Sequence, residues 1–206
     1  MKIQRKSMRA FVLFASKAVT THEFHLNDLP GSGGRMDLVA RCVTQAIWLS
    51  NEIRKDVAVY CTLNGPPSPP KTVGFFSDKL KRVSPDERSI ASWIKKALEN
   101  RAEKEWKKVQ EGIFVSGTDL ISLVRELKNA CNFELYLLHP RGEDIRKVTI
   151  SSNPCFILGD HIGLPQEIEE EIERMGARKI SIGPKEYLAS TCIAVVNNEL
   201  DRRGME

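Results

Sequence analysis

Two glycine-bearing turns late in the chain hold the residues best placed for chemistry: Gly159-Asp160-His161-Ile162-Gly163 and Gly183-Pro184-Lys185. Each follows a short apolar run, residues 155–158 and 179–182, of the kind that forms a strand buried on both faces of a parallel sheet. Glycine allows a sharp turn and lets a flat ligand lie against the backbone where a β-carbon would obstruct it. The same residues also punctuate an ordinary β–α–β unit, and the pattern alone leaves both readings open. Between the runs, Pro165 suits the first turn of a helix, Glu167, Glu169 and Glu170 lie toward its electropositive end, and Gly176 supplies a stop. Strands joined by a helix run parallel with a right-handed crossover. Both turns therefore emerge at the carboxyl edge of the sheet, where open α/β folds hold their ligands.

Other candidate motifs fail on spacing. His22-x-x-His25 has no third ligand at a supporting distance, so these are loop histidines and no metal is expected. Gly31-Ser32-Gly33-Gly34 lacks the dinucleotide fingerprint, because Met36 stands where the third glycine belongs and no strand immediately precedes the run. The five cysteines, Cys42, Cys61, Cys131, Cys155 and Cys192, include no CxxC pair. An odd number so scattered argues against a disulfide framework and against a zinc site.

The elements that must position the two turns follow from periodicity. Residues 9–15 read as a first strand, and residues 35–48 as an amphipathic helix with Leu38, Val39, Cys42, Val43, Ala46 and Ile47 on one stripe. Residues 57–63 and 71–76 read as strands around a proline-rich rim loop, 64–70, which can be neither helix nor interior strand. Ser84-Pro85-Asp86-Glu87 opens a helix through Ile90, Trp93, Ile94 and Leu98 toward Trp106. Its polar face would carry Arg88, Lys95, Lys96, Arg101, Lys104, Lys107 and Lys108, a basic stripe able to meet RNA phosphates. Gly112 ends that helix, 113–115 is a short strand, Ser116 and Asp119 cap another helix, and 133–138 is a strand that turns at His139-Pro140-Arg141-Gly142. The alternation calls for an α/β three-layer sandwich around a mostly parallel sheet.

The chain has 206 residues, 41% of them hydrophobic and 28% charged, which suits one domain spanning 1–206. A net charge of +4 is compatible with RNA without being diagnostic of it. No apolar run reaches membrane-spanning length, and the N-terminus lacks the long apolar core of a secretory signal. The expected location is the cytoplasm.

Taken together, LGDHIGLP at 158–165, ISIGPKEYLAS at 180–190, TCIAVVNNELD at 191–201 and PGSGGRMDLVARCV at 30–43 resemble the SPOUT methyltransferases. Within them they most resemble the archaeal tRNA pseudouridine(54) N1-methyltransferases, whose relatives are the Nep1 rRNA pseudouridine methyltransferases. The resemblance implies a C-terminal trefoil knot over about 133–206 that holds S-adenosyl-L-methionine. The cofactor-binding positions it implies are Leu138, Gly159, Gly163, Ile182, Gly183, Pro184, Lys185, Tyr187, Leu188 and Cys192. It further implies methylation of pseudouridine N1 in the T loop of tRNA by a homodimer whose active site uses both chains. The alternatives are Nep1-like methylation of small-subunit rRNA and a non-catalytic RNA-binding assembly factor. In pseudouridine N1 bears a hydrogen, so the reaction needs a proton acceptor. Asp160 leads as that base, with closure of an Asx turn as its competing role. Asp37 and Asp201 are weaker alternatives, and Arg35 could balance charge on the uracil ring. Cys192 is read as lining the cofactor pocket, since N1 needs no covalent adduct. Thr191 and Asn197 depart from the family pattern, where histidine is common, and so give no support to a histidine from the closing helix.

Overall fold

A computed structural model describes residues 8–101 and 103–205. Met1 to Ser7, Ala102 and Glu206 lie outside the described residues, and with them the start of the N-terminal stretch that was read against a secretory signal.

At the centre is β1 (Arg9–Ala15), buried at all seven positions. A strand enclosed on both faces has no solvent side on which to place polar residues, which accounts for its unbroken AFVLFA run. It pairs in parallel with β2 (Val57–Leu63) and with β7 (Pro154–Gly159). Beyond β7 lie β6 (Glu134–Asp144) and the edge strand β8 (Arg178–Ser181), again parallel. On the other flank β3 (Lys71–Phe76), β5 (Ile113–Ser116) and β4 (Lys107–Gln110) pair antiparallel, giving the order β4-β5-β3-β2-β1-β7-β6-β8. The sheet is thus mixed: five neighbouring strands are parallel and the remainder antiparallel. The cause is local, because the 64–70 loop is too short to hold a crossover helix and returns the chain beside β2 in the opposite direction.

Among the described residues five α-helices complete the fold: α1 (Met36–Ile47), α2 (Glu87–Leu98), α3 (Leu120–Cys131), α4 (Gln166–Arg174) and α5 (Ala189–Arg202). Period-two alternation in β1 divides the core. Phe11, Leu13 and Ala15 join a cluster with residues of α1, α2 and α5, while Ala10, Val12 and Phe14 join another with residues of α3 and α4. Across the first cluster the rings of Tyr136, Phe156 and Phe11 stack at centroid distances of 5.4 and 5.6 Å. They occupy paired positions on β6, β7 and β1, and a one-residue slip would send the displaced strand's ring to the opposite face.

One expected element is corrected. The helix opened by Asp86, whose carboxylate accepts the Ser89 N–H, ends at Leu98 instead of continuing toward Trp106. Asn100 closes it by donating from its side chain to the carbonyls of Lys96 and Ala97. Trp106 continues the helical spacing only by coincidence; it packs on Tyr60 in the other core cluster. The basic stripe therefore divides. Arg88, Lys95 and Lys96 stay on α2, whereas Lys107 and Lys108 lie on the edge strand β4 and Arg101 and Lys104 in the connection. Gly112, with φ of 78°, turns the β4–β5 hairpin rather than stopping a helix.

The closing helix α5 is tied to the opposite end of β1. Arg9, 3% exposed, donates to Asp56 at 2.7 Å, to Asn197 at 3.1 Å, to Asp201 at 3.2 Å and to the Met205 carbonyl. Asn197 in turn donates to the carbonyls of Gln45 and Ala46, joining α5 to the end of α1. Arg54 holds both oxygens of Asp201. Burial pushes the Asp201 carboxyl up, but the Arg54 and Arg9 guanidinium groups outweigh it and hold it below the ordinary 3.8. Removing one partner of such a set strands the others, at a cost of about 3–5 kcal/mol for a buried pair. Arg9→Met should therefore lower the urea midpoint of unfolding by an amount equivalent to about 3 kcal/mol or more; an unchanged midpoint would contradict this role.

Candidate functional site

The middle of β6, where its pairing with β8 is interrupted, and the carboxyl ends of β7 and β8 border a cavity of about 780 Å³. Its walls are Leu138 to Arg141 within β6, Leu158 to Leu164 at the end of β7 and in the turn after it, and Ile180 to Gly183, Lys185 to Ala189 and Cys192 around the end of β8 and the start of α5, with Leu38 of α1 and Glu169 of α4 completing them. Leu138, Leu158, Ile180, Ile182 and Ala189 supply apolar surface. A volume of this size with a few polar groups suits a nucleoside-sized ligand.

Local backbone geometry explains the glycines. A β-carbon at Gly159 would stand 2.4 Å from the Gly163 carbonyl carbon, because residues 160 and 163 bridge across the turn. Gly163 itself has φ of 88°, a conformation that side-chain-bearing residues rarely adopt. At Gly183 an added carbon would meet the Tyr187 ring at 3.2 Å. The Ser181 hydroxyl donates to the Gly183 carbonyl at 3.0 Å and fixes that second turn.

β6 does not end where the sequence pattern ends it. Tyr136 to Leu138 pair with Arg178 to Ile180, and after an excursion through His139 to Gly142 the chain rejoins β8, with Glu143 on Ile180 and Asp144 on Ser181. Gly142 lies against the Ile180 backbone so closely that a β-carbon would fall 2.5 Å from it. The excursion forms one lip of the cavity. On it the His139 Nδ1 accepts the Arg141 N–H at 3.0 Å.

Asp160 is the most constrained polar residue here, with its side chain 3% exposed. Its Oδ2 accepts the backbone N–H of Ser16 at 2.7 Å and the Ser16 hydroxyl at 2.6 Å, and its Oδ1 accepts the Ile162 N–H at 2.9 Å. The last bond closes an Asx turn. The first two clamp the end of β7 to the end of β1.

The structure brings together nine of the ten positions expected to bind a cofactor: Leu138, Gly159, Gly163, Ile182, Gly183, Lys185, Tyr187, Leu188 and Cys192 all line the cavity, and Pro184 does not. Asp160 lines it as well. Arg35 and Asp37 do not, although Leu38 beside them does. Arg35 holds both oxygens of buried Asp37 at 3.0 and 3.2 Å, and Arg41 adds a third bond at 2.6 Å while reaching Glu87 at 3.1 Å. Burial pushes the Asp37 carboxyl up, yet the two guanidinium groups hold it below its ordinary value. Asp201 is far along α5 in the Arg9 network. Burial pushes the Cys192 thiol up and its sulfur lies 3.6 Å from the Tyr187 carbonyl, a packing role and not that of a thiolate. Sequence reasoning missed Glu169 and His139, which line the cavity, and Ser16, which does not line it but holds Asp160. For Ser16 a signal existed, namely a hydroxyl at the carboxyl end of a fully buried strand.

Among the described residues no group of three or more His, Cys, Asp or Glu is arranged to hold a metal ion, and no helix is long and apolar enough to cross a membrane.

Comparison with known proteins places this geometry. A family of S-adenosylmethionine-dependent RNA methyltransferases matches residues 8–205. A Methanococcus aeolicus protein named tRNA (pseudouridine(54)-N(1))-methyltransferase is 44% identical over 201 residues, covering 95% of this chain and 98% of its own length. The protein of the same name from Methanocaldococcus jannaschii is 44% identical over 203 residues, with the same coverage of both chains. Among solved structures, Archaeoglobus fulgidus Nep1 bound to S-adenosylhomocysteine superposes with a TM-score of 0.64 over 97% of this chain and 100% of its own; at 14% identity the likeness is one of fold.

Gly159→Ala must push the Asp160–Gly163 turn open. Backbone strain of about 1–3 kcal/mol is expected, read as a fall in the thermal midpoint of roughly 2–12 °C. Calorimetric scanning of the variant that shows no fall would mean the turn is looser than its geometry implies.

Proposed function

The chain belongs to the family of S-adenosylmethionine-dependent RNA methyltransferases, and from that premise we propose that it methylates N1 of pseudouridine 54 in the T loop of tRNA. The observation that carries this reading is 44% identity, over 95% of the chain and nearly the full length of the relatives, to proteins named for that reaction. The cavity supports it. Leu138, Leu158 and Ile182 offer apolar walls for an adenine ring, and Gly159 and Gly183 keep the wall free of β-carbons there. Lys185, Tyr187, Leu188 and Cys192 border the same space from the start of α5.

S-adenosyl-L-methionine, when bound, supplies a methyl group on a positively charged sulfur. The residues of this chain hold that group, align the incoming base and remove a proton. Asp160 is the carboxylate at the cavity, and its role is the final acceptor of the N1 proton. Arg35 and Asp37, paired with each other at the start of α1 and outside the cavity lining, are read as residues that meet the RNA beside the site, and not as groups that act on the uracil ring.

The architecture is read as one SPOUT domain over the whole chain, three layers deep, with its knot in residues 133–206. In favour of the layers stand the two core clusters on alternate residues of β1. In favour of the knot stands the return of Glu143 and Asp144 onto β8. A homodimer is favoured by Ile162, Tyr187 and Leu188, large apolar side chains exposed at the rim of the site, which a second copy would cover while completing the RNA-binding surface. The expected setting is the cytoplasm, with tRNA as partner and no membrane.

The test is mass spectrometry of a tRNA transcript carrying pseudouridine 54 after incubation with the protein and S-adenosylmethionine. One added methyl on that nucleoside is expected, with none on a transcript carrying uridine there. Methylation of a small-subunit rRNA fragment in preference to tRNA would favour the Nep1-like reading. No methylation of either, with no heat on titration of the cofactor, would leave only an RNA-binding scaffold. Asp160→Asn should retain cofactor binding and lose about 10²–10⁴-fold in turnover; full activity would remove Asp160 from the mechanism.

A further inference from the structure

We propose that Glu169, which lines the cavity from α4, binds the ribose of the cofactor by accepting hydrogen bonds from its two hydroxyls. The proposal rests on the reading of the cavity as the cofactor's pocket and names the group that recognises the sugar.

The reason is an acceptor that the chain itself does not satisfy. Glu169 stands in the first turn of α4 with its side chain 22% exposed, and among the described residues no group donates a hydrogen bond to either carboxylate oxygen. Two groups stand near it, the Lys179 Nζ at 3.7 Å and the His139 Nε2 at 3.8 Å, and both lie beyond hydrogen-bonding distance. Lys179 is engaged elsewhere, at 2.7 Å from Glu173. Asp160, by contrast, already receives three donors. Glu169 is therefore a largely buried carboxylate at the cavity wall whose lone pairs need donors from outside the chain, since leaving them unmet is costly.

The carboxylate is held in place. The Glu169 N–H donates to the Pro165 carbonyl at 3.1 Å, and Ile168 and Ile172 of the same helix pack into the core cluster shared with α3. On the facing lip the Arg141 N–H donates to His139 Nδ1 at 3.0 Å, which leaves the hydrogen of a singly protonated ring on Nε2, the nitrogen nearer Glu169. His139 belongs to β6 and Lys179 to β8, so Glu169 reaches the seam between those strands, where β6 makes its excursion. Asp160 is clamped instead to the end of β1, on the other side of β7. The cavity thus has one carboxylate toward β1 and a second at the β6–β8 seam.

The cofactor's own chemistry selects among its donors. S-adenosyl-L-methionine offers three kinds: the adenine amino group, the ammonium of its methionine end and the adjacent pair of ribose hydroxyls. The flat ring is matched by the apolar walls at Leu138, Leu158 and Ile182. An ammonium gains most from a carboxylate with no cation beside it, whereas Glu169 already has Lys179 within 4 Å, and Arg141 and Lys185 add positive charge to the same cavity lining. A neutral diol gains from that carboxylate without competing for its charge. Two neighbouring hydroxyls match two acceptor oxygens, and hydrogen bonds to a charged acceptor are about twice as strong as those between neutral groups.

The experiment is calorimetric titration of the full-length protein and of Glu169→Gln and Glu169→Ala. The probes are S-adenosylhomocysteine, its 2′-deoxy and 3′-deoxy forms, and 5′-methylthioadenosine, which lacks the amino-acid end. The wild type should bind each deoxy form about tenfold or more weakly than the parent. Glu169→Ala should bind S-adenosylhomocysteine about ten- to a hundredfold more weakly and methylthioadenosine weaker by the same factor, and its penalty for the deoxy forms should shrink to within about threefold. Glu169→Gln, which keeps the shape and one acceptor oxygen, should fall between. Unchanged affinity for S-adenosylhomocysteine in Glu169→Ala would overturn the proposal. So would a deoxy penalty as large in Glu169→Ala as in the wild type, which would leave Glu169 a support for its neighbours, and a loss seen with S-adenosylhomocysteine but absent with methylthioadenosine, which would move the carboxylate to the ammonium. If the wild type gives no heat with S-adenosylhomocysteine, the reading of the cavity as the cofactor's pocket fails, and the proposal falls with it.

Discussion

The close passage of one stretch of backbone over another sets the shape of the site. Beyond Leu138 the chain leaves β8, makes its excursion, and comes back onto the same strand with Gly142 pressed on Ile180. A residue with any side chain at 142 would collide with main chain, which cannot swing aside as a flexible side chain can. Because β8 is engaged before and after the excursion, the lip formed by His139 to Gly142 cannot open independently of the strand. The turns after β7 and β8 then face a wall of fixed position. Such rigidity suits a pocket whose task is alignment, since small displacements of reacting atoms are expensive in rate.

A second constraint acts on β1 from both ends. At its amino end Arg9 gathers Asp56, Asn197, Asp201 and the Met205 carbonyl, so that the last turns of the chain are fastened to the centre of the sheet. At its carboxyl end Ser16 and Asp160 fasten β1 to β7. Both clasps are charge-assisted and largely withdrawn from water, the setting in which such bonds are strong and their loss severe. Between them the aromatic stack of Tyr136, Phe156 and Phe11 fixes the register of three strands. The turns after β7 and β8 and the carboxylate proposed as proton acceptor thus belong to one stiff unit.

How much of this was legible in the sequence differs by element. The buried strands and the amphipathic helices were readable because burial on both faces or on one stripe leaves a period in the residues, as in AFVLFA and in Leu38 to Ile47. The turns that border the cavity were readable as glycines at strand ends, and the motifs that resemble a known family singled them out. The end of α2 was not readable: Trp106 falls on the helical period while packing on the opposite core cluster, and periodicity carries no information about which core a residue joins. The antiparallel flank was missed for a related reason, since a short proline-rich loop was recognised as a rim without its geometric consequence for strand direction. Ser16 was passed over because its significance lies in a partner 144 positions away. The return of β6 onto β8 is likewise a long-range pairing that leaves no local pattern.

The division of the site into apolar and polar halves fits the two demands of the proposed reaction. Moving a methyl group off a cationic sulfur destroys charge, so walls such as Leu138, Leu158 and Ile182, which solvate ions poorly, disfavour the charged starting state more than the charge-dispersed transition state. Removing the N1 proton has the opposite requirement, because it creates charge on the base and needs an oriented acceptor. A bare carboxylate in direct contact with the sulfonium would stabilise the starting ion pair and surrender part of that advantage. In the proposed reaction Asp160, with three donors on its oxygens, keeps its charge dispersed over those hydrogen bonds until the proton arrives. At that moment the negative charge on the carboxylate and the positive charge on sulfur vanish in the same step, and the interior of the site ends the reaction neutral.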